Sequence, residues 1–266
     1  MVGSKKRVVV RGAGDLATGV IYNLYQAGFE VVATEIAEPL VVRRTVSFAQ
    51  AVYEEQVEVE GVVAKKVEDF EQIEEEISNH RVPIIVDPLG DVIDFFKPQV
   101  VVDAIMAKKN LGTEIDDAPI VIGLGPGFEA GKDVDAVIET ERGHDLGRVI
   151  YQGQAKPNTG VPGDVAGYTN ERVLKSPTDG QFESACEIGD PIQTGEVIGY
   201  VEEEKVVAEI SGIIRGLLKS DVKVKAGTKL GDIDPRKRVK NCYTISDKAR
   251  TIGGAVVVAT LAMDNS

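Results

Sequence analysis

Residues 8–17 read VVVRGAGDLA: three branched apolar residues, a glycine-rich turn and the start of an amphipathic segment. A short apolar run that leads into glycines is typical of a buried strand. The apolar positions that follow recur at helical spacing up to Ala27, and Gly28 is a typical helix end. Residues 29–35, FEVVATE, then predict a second strand. The first 35 residues therefore predict a strand, a glycine turn, a helix and a strand, which is the unit of a parallel sheet.

Residues 57–63 predict a strand. Three further apolar runs, at residues 83–87, 100–103 and 119–123, continue this pattern and end in Asp87, Asp103 and Gly123. Ligands of parallel α/β sheets bind beyond the carboxyl ends of the strands. The two acids could therefore line a site, although strand-end acids also serve as helix caps. The predicted fold class is α/β: a Rossmann-like parallel sheet domain with a second, smaller β-rich domain.

The predicted β-rich domain contains an internal repeat with an offset of 32 residues. The offset pairs three glycines of the first copy with three of the second: Gly180, Gly195 and Gly199 with Gly212, Gly227 and Gly231. Two copies of a short-strand motif predict a compact, pseudo-symmetric β-domain. The expected divisions are 1–170 for the Rossmann-like domain and 171–236 for the β-rich domain. Residues 237–266 are expected to form a C-terminal helix that returns to the first domain.

The glycine turn fits the G-x-G-x-x-[GA] fingerprint of nucleotide-binding strand–turn–helix units. Its glycines would let the backbone approach a pyrophosphate, and the helix would present unpaired N–H groups. Glu35 could accept the ribose hydroxyls, whereas Arg43 and Arg44 could meet a ribose phosphate, and both nucleotide types stay open. A tight turn that binds nothing is the alternative. The predicted cofactor contacts here are Gly12, Gly14, Asp15, Ala17, Thr18 and Glu35.

Other residues are weaker candidates. Asp15 could cap the helix or hold a bridging Mg²⁺. The second glycine loop, with Gly123, Gly125 and Gly127, could cradle another anionic group or form a plain turn. His144 lies between an arginine and an aspartate, where it could transfer a proton or simply lie at the surface.

Composition narrows the class of partners. A formal net charge of −13 disfavours nucleic acid as a partner, and no apolar run approaches the roughly 20 residues of a membrane span. The N-terminus carries no secretory h-region, so we expect a cytoplasmic protein. Cys186 and Cys242 lack metal-ligand spacing, so we expect free thiols and no metal site. A homo-oligomer remains open.

Lys205 lies between the two β-repeats, and residues 174–234 resemble lipoyl and biotinyl carrier domains of the barrel-sandwich type. In those domains a modified lysine occupies the hairpin between the half-repeats. A carrier protein that uses Lys205 is thus one reading, and a structural or docking module is the other.

Five segments of the chain resemble the accessory proteins of selenium-dependent molybdenum hydroxylase systems: RGAGDLA at 11–17, ETERGHDLGR at 139–148, NTGVPG at 158–163, GDIDPR at 231–236 and SDKAR at 246–250. The resemblance implies a maturation or accessory role beside a molybdenum hydroxylase client. The expected ligand is a nucleotide or a molybdopterin-type cofactor at the first glycine turn. The alternative is an NAD(P)-dependent oxidoreductase with His144 as the proton donor.

Overall fold

The computed structural model describes residues 6–264, and the chain divides into two compact units. The large unit comprises Met1–Pro39, Ser47–Asn158 and Ile245–Ser266. The small unit comprises Leu40–Val46 and Thr159–Thr244. The breaks in the structure therefore lie at 158/159 and 244/245, and the segment Leu40–Val46 belongs to the small unit.

Within residues 6–264, the large unit contains eleven strands and five α-helices. The strands are β1 Arg7–Arg11, β2 Glu30–Glu35, β3 Gln56–Val59, β4 Val62–Val67, β5 Val82–Val86, β6 Val100–Asp103, β7 Ile120–Leu124, β8 Glu129–Ala130, β9 Ala136–Ile138, β10 Val149–Ile150 and β11 Gly153–Gln154. The helices are α1 Asp15–Gln26, α2 Ala51–Glu54, α3 Ile73–Ser78, α4 Val92–Phe96 and α5 Asp247–Asp264.

Nine of these strands form one mixed sheet in the order β10-β9-β7-β6-β1-β2-β5-β4-β3. The inner strands from β9 to β4 all pair in parallel. Antiparallel hairpins add β3 and β10 at the two edges. Strands β8 and β11 form a separate antiparallel pair.

Strand β1 lies at the centre of this sheet because its side chains are apolar on both faces. Val8, Val9 and Val10 are all 0% exposed, as expected for a parallel strand that is covered on both sides. Helix α1 follows β1 and buries Val20, Ile21 and Leu24. The central pair β1–β2 and the helix between them position the glycine turn.

The small unit consists of two four-stranded antiparallel sheets. Its strands are β12 Val173–Lys175, β13 Gly180–Ser184, β14 Pro191–Ile192, β15 Val197–Val201, β16 Glu204–Val207, β17 Gly212–Leu217, β18 Val222–Val224 and β19 Lys229–Asp234. The sheet orders are β12-β19-β17-β14 and β16-β15-β13-β18. The 32-residue repeat appears here as equivalent positions, since Gly180 and Gly212 begin β13 and β17.

The predicted fold class is wrong and needs correction. The structure shows a large mixed sheet with parallel inner strands and additional antiparallel sheets, and not a Rossmann-like parallel sheet domain with a barrel-sandwich-like partner. One physical reason is visible at the sheet edge. Residues 57–63 read as a single strand from the sequence, but they turn at Glu60 and Gly61, which both have positive φ, and so form an antiparallel hairpin. The run from 104 to 119 also connects β6 to β7 without a helix.

Candidate anion-binding site

The parallel strands of the large unit bring their carboxyl ends to one edge of the sheet. Strands β1, β2 and β6 end in Arg11, Glu35 and Asp103, and Asp87 directly follows β5. Ligand sites of open parallel sheets lie at this edge. It is therefore the place to look for a site, and the glycine turn after β1 lies at its centre.

The inner side of the glycine turn is held by hydrogen bonds to the carbonyl oxygen of Ala13. Ala49 N–H and the hydroxyl of Ser47 donate to this oxygen at 2.8 and 3.0 Å. The Thr18 hydroxyl donates to Gly14 O at 2.9 Å and accepts from Phe48 N–H at 2.9 Å. These bonds fix the position of the turn against the segment that precedes α2.

Thr18 was predicted to contact a cofactor, but the structure places its side chain inside the protein. The residue is 0% exposed, and its hydroxyl is used by the turn and by Phe48. Ala17 is also buried, at 1% exposure. The side chains of these two residues therefore position the turn. Ala17 could contact a ligand only through its backbone N–H.

The outer side of the turn presents unpaired backbone donors. Gly14 is the N-cap residue of α1 and offers no side chain to accept the N–H groups of the first turn. Within residues 6–264, the N–H groups of Gly14, Leu16 and Ala17 have no hydrogen-bond acceptor. Such orphan donors, together with the positive end of the helix dipole, attract anions.

The space in front of Gly14 is open. A Cβ atom added to Gly14 would meet no heavy atom within 4 Å. Gly12 differs, because it has φ of +95° and its Cβ would lie 3.1 Å from Ala104 O. Gly12 thus allows β1 to pass closely over the end of β6, whereas Gly14 leaves room for a ligand.

Glu35 borders the turn on the side of β2. Its carboxylate accepts hydrogen bonds from Ala13 N–H at 3.0 Å and from Ile36 N–H at 2.9 Å. Burial raises the pKa of Glu35 and outweighs the opposite effect of these two hydrogen bonds. The side chain predicted to bind ribose hydroxyls therefore already binds the backbone of the turn.

The second glycine loop, after β7, has no open space at its three predicted contacts. A Cβ at Gly123 would lie 2.6 Å from the ring of Phe128, and one at Gly125 would lie 2.5 Å from Thr140 Oγ1. A Cβ at Gly127 would lie 2.7 Å from Lys109 N. Close packing against the protein thus accounts for these three glycines.

The two strand-end acids bind protein groups. Asp87 accepts from Gly90 N–H and Val92 N–H at 2.9 and 2.8 Å, and so caps the short helix α4. Asp103 accepts from the Thr113 hydroxyl at 2.6 Å, and that hydroxyl accepts from Arg11 at 2.6 Å. The sequence pattern did not indicate this chain of bonds, because Thr113 lies in an irregular loop.

Burial raises the pKa of Asp103, against the opposite effects of hydrogen bonds from Thr113 and Ile105 and of the Arg11 charge. Arg11 is 2% exposed. Its guanidinium therefore forms hydrogen bonds inside the protein and is not available to a ligand in solvent.

His144 and Lys205 are both at the surface. His144 is exposed in the loop that follows β9. Lys205 is exposed on β16 of the small unit, opposite Tyr200 on β15. The sequence predicted each as a reactive group, and both side chains are exposed in the structure.

Lys248 was not among the predicted site residues, and it lies on the helix that packs against α1. It is the second residue of α5 and is half-buried. Burial lowers the pKa of Lys248, the charge of Arg142 lowers it further, and the charges of Asp15, Glu139 and Asp247 act in the opposite direction. The segment SDKAR at 246–250 contains Lys248 but does not indicate a place at the turn, since 231 positions separate Lys248 from Ala17 and only folding brings α5 to α1.

Metal sites and membrane-spanning helices are both absent from the part of the chain that the structure describes. In residues 6–264, no group of three or more His, Cys, Asp or Glu side chains is arranged to hold a metal ion. The same residues contain no helix that is long and apolar enough to span a membrane.

Comparisons with known proteins give one close sequence relative and no family. No family model matches the chain. A protein of Escherichia coli (strain K12), described as uncharacterized protein YqeB, is 48% identical over 254 residues. The alignment covers 96% of this chain and 47% of that protein, so the chain spans about half the length of the curated relative it matches.

Solved structures give only distant likenesses. An aspartoacylase family protein from Mesorhizobium loti is 11% identical, with 88% of this chain and 87% of that chain covered and a TM-score of 0.29. A succinylglutamate desuccinylase/aspartoacylase from Rhodobacter sphaeroides is 14% identical, with 87% and 85% covered and a TM-score of 0.27. TM-scores below 0.5 do not define a shared fold.

These findings contradict the predicted resemblance. No family model matches the chain, the sequence relative is described only as an uncharacterized protein, and none of the reported proteins is described as a molybdenum hydroxylase accessory protein. The prediction of a molybdenum hydroxylase accessory protein is therefore wrong, as are its two alternatives, an NAD(P)-dependent oxidoreductase and a carrier that uses Lys205. The lipoyl- and biotinyl-like resemblance of the small unit is corrected with them.

Proposed function

We propose that the large unit binds a small phosphate-bearing molecule at the glycine turn between β1 and α1. The observation that carries this proposal is that, within residues 6–264, the N–H groups of Gly14, Leu16 and Ala17 have no acceptor, and that a Cβ atom added to Gly14 would meet no heavy atom within 4 Å. A phosphate oxygen can accept from such donors at a helix N-terminus without displacing any protein group.

The chemistry of the turn favours phosphate over an uncharged ligand. The unpaired donors are backbone groups at the positive end of a 12-residue helix, and they offer no acceptor for a ligand donor. The second glycine loop is left out of the site, because its glycines pack against Phe128, Thr140 and Lys109.

The identity of the ligand stays a prediction. A nucleotide, a molybdopterin-type cofactor and NAD(P) all carry phosphate, and Mg²⁺ beside Asp15 would have to be held mainly by the ligand's own oxygens. A cytoplasmic location and a homo-oligomer are predictions of the same kind, drawn from composition alone. A panel of these ligands, each with and without Mg²⁺, would rank them by thermal stabilisation of the protein. Saturation at a hundredfold excess over Kd adds about 2.7 kcal/mol.

The substitution Gly14→Asp tests the site itself, with inorganic pyrophosphate as the probe in isothermal titration calorimetry. Gly14 has φ of −67°, so the backbone tolerates a side chain there. The new carboxylate would cap α1 and raise stability by a few tenths of a kcal/mol. It would also occupy the donors and repel the anion, so pyrophosphate binding should fall by about a hundredfold or more.

The matched control is Gly254→Asp. Gly254 lies in α5, and a Cβ there also meets no heavy atom within 4 Å. This variant adds the same charge to the large unit and should bind pyrophosphate like the parent protein. Equal binding by the Gly14→Asp variant and the parent would exclude the turn as the site.

A further inference from the structure

The start of α5 lies against the first turns of α1. A Cβ at Gly19 would overlap Ala249 O, and one at Gly253 would overlap Gly19 O, so the two helix backbones are in direct contact. Ser246 caps α5 through its hydroxyl, which accepts from Ala249 N–H at 3.2 Å. This packing places Lys248, next to Ala249 in the chain, beside the helix that begins at the glycine turn.

Three basic side chains surround the start of α5, and two of them are in ion pairs. Arg142 donates both terminal nitrogens to the carboxylate of Asp247 at 2.8 Å each. Arg250 pairs with Glu60. The side chain of Lys248 forms no hydrogen bond or ion pair with any residue in the range 6–264.

The acids around Lys248 are largely engaged elsewhere. Glu139 is 2% exposed and accepts from Glu141 N–H and Lys156 N–H at 2.7 and 2.9 Å. Asp247 is held by Arg142. A half-buried ammonium without a partner is unfavourable, and burial accordingly lowers the pKa of Lys248.

The glycine turn lies beside two carboxylates and would bind an anion better with a cation nearby. An anion bound at Gly14 would lie near the carboxylate of Asp15 in the first turn of α1 and near that of Glu35. Both carboxylates oppose an anion, so the backbone donors alone give weak binding. A cation from the protein would offset this repulsion, and the charge of Asp15 already acts on Lys248.

We propose that Lys248 completes the site as the cation that contacts the anionic group of the ligand. The inference rests on the proposed function and extends it to the class of ligand. An anion held by donors of α1 and by an ammonium of α5 needs several oxygens, so the site takes a pyrophosphate or other multiply charged phosphate rather than a single carboxylate.

The test compares Lys248→Met, Lys248→Arg and the control Lys223→Met, which removes one positive charge at an exposed position of the small unit. Calorimetry with inorganic pyrophosphate should show binding about tenfold weaker or more for Lys248→Met, the size of one lost charged hydrogen bond. Lys248→Arg should restore most of the affinity, and Lys223→Met should leave it unchanged. Thermal melts of each variant establish that it is folded.

A second readout follows the amine directly. Acetylation of Lys248 by acetic anhydride, measured by peptide mass spectrometry, should slow as pyrophosphate saturates the parent protein. The same pyrophosphate should give no protection in the Gly14→Asp variant, where Lys248 is intact and the anion is excluded.

The outcomes separate this inference from the proposed function. If Lys248→Met binds pyrophosphate like the parent while Gly14→Asp does not, the turn is the site and the role of Lys248 is overturned. Failure of Lys248→Arg to restore binding overturns it as well. If the parent binds no pyrophosphate, or the Gly14→Asp variant binds it equally, the proposed function fails and the inference fails with it.

Discussion

Two glycine turns lie at the same edge of the large sheet, and they differ in what lies beyond the glycine Cα atoms. After β1, a Cβ atom added to Gly14 would meet no heavy atom within 4 Å, and the adjacent N–H groups have no acceptor in the described part of the chain. After β7, added Cβ atoms at Gly125 and Gly127 would collide with Thr140 and with Lys109. Both turns are glycine-rich in sequence, but only the first leaves space and donors for a ligand.

The difference shows that glycine serves two purposes in such turns. A glycine can allow a ligand to approach the backbone, or it can allow another part of the protein to do so. The sequence pattern is the same in both cases, but a side chain added to the glycine would block a ligand in the first case and collide with the protein in the second. Substitutions in the first turn should affect binding, and substitutions in the second should affect stability.

The largest effect is expected for Gly127→Val in the second turn. Gly127 has φ of +120°, and its Cβ would lie 2.7 Å from the backbone nitrogen of Lys109, which cannot rotate away. We expect a loss of about 3 kcal/mol or more in the free energy of unfolding, measured by urea denaturation. The matched control is Gly131→Val, where φ is +84° and the surrounding space is open.

The control should lose only the cost of the backbone conformation, about 1–2 kcal/mol. Equal losses at the two positions would show that packing at the second turn is not what requires glycine. A loss of pyrophosphate affinity in a well-folded Gly127→Val protein would assign the second turn to the site and break the comparison.

An intermediate effect is expected for Thr18→Val. The Thr18 hydroxyl accepts from Phe48 N–H and donates to Gly14 O. Valine therefore leaves the buried Phe48 N–H unpaired, whereas Gly14 O keeps the hydrogen bond from Thr18 N–H. The expected cost is about 1–3 kcal/mol of stability, measured by thermal or urea unfolding. Thr18→Ser keeps the hydroxyl and should recover most of it.

Thr18→Val also separates positioning from ligand contact. If Thr18 contacted the ligand, the Thr18→Val variant would bind pyrophosphate more weakly without being less stable. If Thr18 only positions the turn, the Thr18→Val variant should be less stable than the parent protein. A variant with unchanged stability and weakened pyrophosphate binding would contradict the buried position of this residue.

A smaller effect is expected for Glu35→Gln, which removes a negative charge beside the first turn. Pyrophosphate affinity measured by calorimetry at neutral pH should rise by roughly threefold to tenfold, the effect of one partly screened charge. Comparison with the parent cancels the titration of pyrophosphate itself. Unchanged or weaker binding in a folded variant would show that Glu35 does not oppose the anion.

The pH dependence of the parent follows from the same residue. Because burial raises the folded pKa of Glu35 above its ordinary value of 4.5, the folded state holds this proton more tightly than the unfolded state. The associated stability is fully present below pH 4.5 and is lost as the pH rises through the raised pKa. The Glu35→Gln variant should lack this component of the pH profile of unfolding.

Part of the fold could be predicted from the sequence. The run of residues 8–17 predicted a strand, a glycine turn and a helix, and the structure places β1, the turn and α1 there. The empty space at Gly14 and the crowding at Gly127 were not accessible, because the groups that fill the second turn come from residues 108–109, 128 and 140. Lys248 was missed for the same reason, since it reaches the turn only through the packing of α5 on α1.

The sequence also misled in two places. The predicted family rested on five short segments, and neither the family models nor the sequence relative supports it. The predicted strand at 57–63 ignored Gly61, which folds the run into a hairpin at the sheet edge. In both cases a local pattern was extended beyond the residues that form it.

The most direct test is a titration of the ¹⁵N-labelled protein with inorganic pyrophosphate, followed through the backbone amide resonances. The account predicts saturable shifts at Gly14, Leu16 and Ala17, with Gly125 and Gly127 unchanged. Shifts confined to the second turn, or no saturable shift at Gly14, would contradict the assignment of the anion site.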